Sequence, residues 1–230
     1  MKAKLAGLAL LSAMSLTASA ATFHFIPITS PGNTILQQLG SQLTMDVTNG
    51  GADNVIFTFT NNGPVESSIS RVYFDDAPSN LFASFTVGNQ TPGVNFAMNA
   101  SPISLTRGDL DPWRFWATDS AAAVKPRFDN GIANSAATPG EALSMIGFLN
   151  SGITFADVVK SLTAGPPTAG DILRVGLRVI GIDQFNDSGS ASFLDAGNSP
   201  VPIPESSTYG MLLAGLGLIA AIARRRQSSH

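Results

Sequence analysis

The chain has 230 residues, a formal net charge of −3 and 44% hydrophobic residues, enough for a domain with a buried core. It has no cysteine and two histidines, which excludes disulfides, thiolate metal sites and a cysteine nucleophile, and disfavours His-rich zinc sites. Residues 21–200 carry 8 Lys+Arg, scattered singly, against 15 Asp+Glu, so we expect no nucleic-acid partner.

Residues 1–20 have the three parts of a secretory signal peptide. Two lysines near the start form a positive region, and a run of leucine and alanine forms an apolar one. Ala18 and Ala20 then give a small-x-small cleavage pattern. The sequence therefore predicts export, with a mature chain that begins at Ala21.

Residues 21–197 are predicted to form one domain of short strands. Apolar residues alternate with polar ones, and turn residues such as Asn49-Gly50-Gly51 separate the runs, which predicts hairpins. Residues 155–162 are predicted to be the one short helix, with Thr154 and Asp157 as its capping pair. This pattern predicts a mainly β protein, an antiparallel β-sandwich of jelly-roll-like type. The predicted strands are 43–47, 55–59, 69–74, 81–87, 95–98, 103–105, 142–149, 173–179 and 193–194.

Catalytic patterns are weak in this body. It lacks a Gly-x-Ser-x-Gly element, and His24 is its only histidine, which argues against a His-based hydrolase. The paired acids lie mostly in turn contexts, where aspartate hydrogen-bonds its own backbone. We therefore predict that the protein is not an enzyme, with a polysaccharide-acting hydrolase as an alternative. The pairs are Asp75-Asp76, Asp109 with Asp111, and Asp183 with Asp187.

Asp183 and Asp187 are also candidate ligands for a calcium ion. The segment 183–189 offers several oxygen ligands, but its spacing does not match an EF-hand loop. A solvated turn is the simpler interpretation, and a structural calcium ion is the alternative. No other cofactor is predicted.

An aromatic cluster at Trp113, Phe115 and Trp116 suggests a second alternative, a carbohydrate-binding module. Residues two apart on a strand share a face, so Trp113 and Phe115 are predicted to face the core. Trp116 then faces the other side, where it is the candidate for stacking on a sugar ring.

The C-terminal segment has the order of a sorting or anchoring device. Residues 198–205 form a Pro-rich linker, and residues 206–226 contain an apolar run that ends in Arg224, Arg225 and Arg226. The 15 uncharged residues 209–223 would reach about 22 Å as a helix, short of a bilayer core of about 30 Å. We predict a membrane anchor helix whose arginines stay cytoplasmic, which leaves the body outside the membrane.

Pro204-Glu205, the apolar segment and the arginine cluster together resemble the PEP-CTERM sorting domain of Gram-negative bacteria that make exopolysaccharide. The family motif is Pro-Glu-Pro, whereas this chain has Ser206 in the third position. The resemblance implies an exosortase-type transpeptidase that cuts near Pro204-Glu205 and passes the body to the cell surface or matrix. The body also resembles, on fewer specific motifs, a type of ectodomain that has no assigned activity. We thus expect a non-catalytic surface or matrix protein associated with exopolysaccharide.

Overall fold

The computed structural model describes residues 20–51, 53–76, 79–98, 115–119, 131–134, 140–164, 173–182, 189–197 and 201–202. Within these ranges the chain forms twelve strands, all paired antiparallel, and two helices. The predicted mainly β, antiparallel fold is therefore confirmed. The strands are β1 Ala20–Pro27, β2 Leu43–Gly51, β3 Asn54–Asn61, β4 Ser67–Asp75, β5 Phe82–Gln90, β6 Phe96–Met98, β7 Phe115–Asp119, β8 Ile132–Asn134, β9 Ala142–Leu149, β10 Arg174–Ile180, β11 Ala191–Asp195 and β12 Val201–Pro202; the helices are α1 Thr34–Gln42 and α2 Phe155–Thr163.

The strands follow one hydrogen-bonded path in the order β5-β9-β3-β2-β1-β11-β10-β4-β7-β6. Strand β8 adds to β4, and β12 adds to β1. Strand β1 joins the two halves of this path, because its first residues pair with β2 and its last residues pair with β11. We call β5-β9-β3-β2 the first half and β11-β10-β4-β7-β6 the second half.

Phenylalanine rings hold the two halves face to face. Phe57 of β3 contacts Phe74 of β4 with ring centroids 5.0 Å apart, and Phe85 of β5 contacts Phe115 of β7 at 4.9 Å. Phe74 and Phe85 stack at 4.3 Å. The alternation of β3 explains this packing, since its residues Val55, Phe57 and Phe59 are all buried on one face.

A side chain brings the two ends of the path together. The Phe96 N–H of β6 donates to Gln90 Oε1 of β5 at 2.6 Å, and Gln90 Nε2 donates back to the Phe96 carbonyl at 3.5 Å. The Gln90 amide thus takes the place of a main-chain pair, and the sheet is nearly closed.

Helix α2 is the one that the sequence predicted. Asp157 N–H donates to Thr154 Oγ1 at 3.3 Å, and Thr154 N–H donates to Asp157 Oδ2 at 2.9 Å, which completes the capping box. Helix α1 was not predicted. Its N-cap is Asn33, whose side chain accepts from the Leu36 N–H at 3.1 Å.

Candidate functional site

Most of the predicted site residues lie outside the described ranges, as does the predicted strand 103–105. Ala20 and Ala21, which flank the predicted cleavage point, are the first residues of β1, and Ala21 is buried. The predicted site residues that lie outside the described residues are Ala18, Asp109, Asp111, Trp113, Asp183, Asp187, Pro204, Glu205, Arg224, Arg225 and Arg226.

Trp116 lies where the alternation predicted. Its neighbours Phe115 and Ala117 pack into the main core, so Trp116 faces the outside of the second half. There it is partly buried against a small cluster, in which Tyr73 and Leu194 are buried and Ile28 is partly exposed. Trp116 is thus a partly covered side chain of an outer-face cluster rather than an open platform.

The acid pair Asp75-Asp76 has a structural explanation. Both residues are buried. Asp75 forms an ion pair with Arg174 on the neighbouring strand, and Asp76 Oδ2 accepts the Phe82 N–H at 2.9 Å. Since adjacent residues of a chain point to different sides, the two carboxylates serve different neighbours.

Arginines gather on the outer face of the second half, although they are scattered in the sequence. Antiparallel pairing of β4 with β10 places Arg71 opposite Arg178 and Asp75 opposite Arg174. All three arginines alternate with core residues of their strands, so they share the outer face with Tyr73. Sequence analysis missed this group because alternation shows which residues face outward but not which strands become neighbours.

Asp195, at the end of β11, is a buried carboxyl group that the sequence gave no reason to select. Its Oδ1 accepts the Val175 N–H at 2.8 Å. Burial raises the pKa of Asp195 to about 7, against the lowering effect of main-chain N–H groups and of the Arg174 charge.

The part of the chain that the structure describes holds no group of three His, Asp or Glu side chains placed to bind a metal ion. His24 lies exposed on β1. Neither described helix is long and apolar enough to cross a membrane, and the predicted anchor, residues 206–226, lies outside the described residues.

Residues 21–22, at the predicted start of the mature chain, lie beside residues 201–202 of the predicted linker. Strand β12 pairs antiparallel with β1, with Ala21 opposite Pro202 and Thr22 opposite Val201. This short strand lies within the stretch predicted as a linker. The predicted sorting motif therefore follows directly after a strand of the body.

Comparison with known families bears on this C-terminal segment. Residues 202–227 match the family described as the PEP-CTERM protein-sorting motif. The predicted resemblance is confirmed, and it implies an exported protein with a sorting signal that an exosortase-type system processes. No curated protein and no solved structure matches the chain.

Proposed function

We propose, from the PEP-CTERM protein-sorting motif at residues 202–227, that the protein is a non-catalytic component of the cell surface or matrix of a Gram-negative bacterium. The signal peptide of residues 1–20 directs export. Residues 206–226 hold the chain on the outer side of the cytoplasmic membrane. An exosortase-type transpeptidase then cuts near Pro204-Glu205, and the released body associates with exopolysaccharide.

The observation that carries this proposal is the match at the C-terminus. Physical properties of the segment support it, because a short apolar run followed by Arg224–Arg226 suits temporary retention better than a permanent span. The pairing of β12 with β1 supports it as well, since this strand directly precedes the predicted motif Pro204-Glu205 in the sequence.

The non-catalytic part of the proposal is supported by what the buried acids do. Asp75 pairs with Arg174, and Asp76 accepts a main-chain N–H at 2.9 Å. Glu141 Oε2 likewise accepts the Ala133 N–H at 2.6 Å. Carboxylates held this way stabilise the fold, whereas hydrolysis of a glycosidic bond needs two that face one substrate.

The intact mass of the protein from cell envelope and from medium tests the sorting step. We expect a released form that begins at Ala21 and ends near Pro204-Glu205. Glu205→Ala is expected to keep the tail, with Glu66→Ala, an acid far from the motif in the sequence, as the matched control. A released form that still contains Arg224–Arg226 would contradict processing.

The non-catalytic part needs a separate assay. The purified protein is incubated with a panel of bacterial polysaccharides, and reducing ends are measured. We expect no release of sugars, and turnover that Asp75→Asn or Asp76→Asn abolishes would show an enzyme instead.

A further inference from the structure

We propose that Arg71 and Arg178 form an oxyanion site on the outer face of the second half, and that its ligand is a carboxylate group of an acidic sugar polymer. This inference rests on the proposed function, because it gives the body a specific polysaccharide class to bind. We call the two arginines the arginine pair.

The register of the sheet creates the arginine pair. Arg71 of β4 lies directly opposite Arg178 of β10, and both side chains are partly buried on the same face. Like charges directly opposite each other on a sheet destabilise it. An anion bound between the two guanidinium groups would remove that cost.

Serine hydroxyl groups orient the Arg178 guanidinium group. Arg178 donates to Ser190 Oγ at 2.6 Å and to Ser192 Oγ at 3.3 Å. Arg71 lies two residues from Tyr73 on the same face of β4, where burial raises the pKa of the Tyr73 hydroxyl and Arg71 opposes that rise. Arg174 is paired with Asp75, whereas no ion pair of Arg71 or Arg178 is seen among the side chains that the structure describes, which do not include Asp119.

The electrostatics agree with this geometry. Burial lowers the pKa of Arg178, and the charge of Arg71 lowers it further. Both effects mean that the positive charge at this position is held at an energetic cost. A negatively charged ligand would offset this cost by stabilising the protonated guanidinium group of Arg178, and this favours binding of the ligand.

The residues next to the arginine pair on the outer face indicate the class of ligand. A guanidinium group binds carboxylates through two parallel hydrogen bonds. Trp116 of β7, which is partly exposed, lies opposite the fully buried Tyr73 of β4, two residues further along and about 7 Å away. The exposed part of one aromatic side chain beside a charged anchor suits a sugar that carries an acid group. Because the body as a whole is acidic, a polyanion needs such a local site to bind.

Binding to polygalacturonate tests the proposal, with the full chain purified in a mild detergent and neutral dextran as the comparison polymer. We expect wild type to bind polygalacturonate and not dextran, and to lose affinity as salt increases. The double variant Arg71→Gln/Arg178→Gln should bind at least tenfold more weakly. Lys160→Gln, which removes one charge on the exposed face of α2, is the matched control and should stay within twofold of wild type.

Thermal melting separates loss of the site from loss of the fold. Because the like-charge pair is relieved, the double variant is expected to melt no lower than wild type. If it does not fold, Arg178→Lys keeps the charge but loses the planar fork, and should weaken binding several-fold.

Three results would overturn the proposal: no binding by wild type, equal binding by the double variant, or inorganic phosphate bound as tightly as the polymer per anionic group. None of them bears on sorting, which the intact mass reports. A body that is processed and retained in the matrix without binding polygalacturonate would refute the arginine pair and leave the proposed function standing.

Discussion

The buried Asp195 carboxyl should make stability fall as pH rises. Its pKa is about 7 in the folded protein against 3.8 in the unfolded chain, so between these values the folded state holds a proton that the unfolded state has lost. The stabilisation that protonated Asp195 gives to the folded state is therefore complete below about pH 4 and is lost as the pH rises towards 7. Over this range the free energy of unfolding falls by up to about 1.4 kcal/mol for each pH unit. Urea unfolding from pH 4.5 to 7.5 measures this slope.

Asp195→Asn is expected to remove that slope while its side-chain oxygen still accepts the Val175 N–H. Asp157→Asn is the control, because it removes an exposed carboxyl group whose pKa is lowered, chiefly by the hydrogen bond from Thr154. The same slope in wild type and Asp195→Asn would contradict the assignment.

Gly147 is required by the aromatic core. A Cβ at this position would lie 2.7 Å from two ring carbons of Phe82 and 2.9 Å from one of Phe85. Gly147→Ala should therefore destabilise the protein by about 1–3 kcal/mol, measured by urea unfolding. Gly32→Ala is the control, since nothing lies within 4 Å of its Cβ, and it should change stability by less than about 0.5 kcal/mol. Equal losses for both variants would show that the core tolerates the added methyl group.

At the scale of elements, helix α1 depends on its cap more than on its composition. It contains Gly40 and Ser41, which are weak helix formers, and a Cβ at Gly40 would lie 2.4 Å from the Phe25 carbonyl oxygen. Glycine at this position thus allows the helix to lie directly against β1. Leu36 and Leu39, which are both fully buried, supply the apolar packing that holds the helix on the core.

Asn33→Ala removes the cap of α1 and should cost about 0.5–2 kcal/mol, visible as a lower Tm. Asn33→Ser keeps a side-chain oxygen in the same place and should recover most of the loss. If serine and alanine give the same Tm, the cap contributes nothing to stability.

Strands were predictable because their signal is local. Val55, Phe57 and Phe59 recur at every second position, and residues 173–179 alternate strictly; the structure places 55–59 in β3 and 174–179 in β10, with these apolar positions in the core. Helix α1 was missed because two leucines in nine residues give no extended helical period. The closure through Gln90 and the arginine pair were beyond prediction, since both depend on strands brought together from distant parts of the sequence.

At the scale of the whole molecule, Ser206 is the position where the chain departs from the Pro-Glu-Pro motif. A proline there would restrict Glu205 to extended conformations, which suits binding of the motif as an extended segment. Ser206→Pro is therefore expected to raise the fraction of chains that lose the tail, measured by intact mass of the envelope fraction. Ser207→Ala is the control. An unchanged fraction would show that serine is processed as well as proline.

If residues 206–226 are held in a membrane as proposed, the pairing of β12 with β1 limits the distance between the body and that membrane. While the tail is attached and β12 is paired, only residues 203–208 separate the body from the apolar run, a reach of at most about 21 Å. Release of β12 would add residues 198–202 and nearly double that distance. An enzyme that cuts near Pro204-Glu205 would therefore work close to the surface of the body, unless the two residues of β12 first separate from β1.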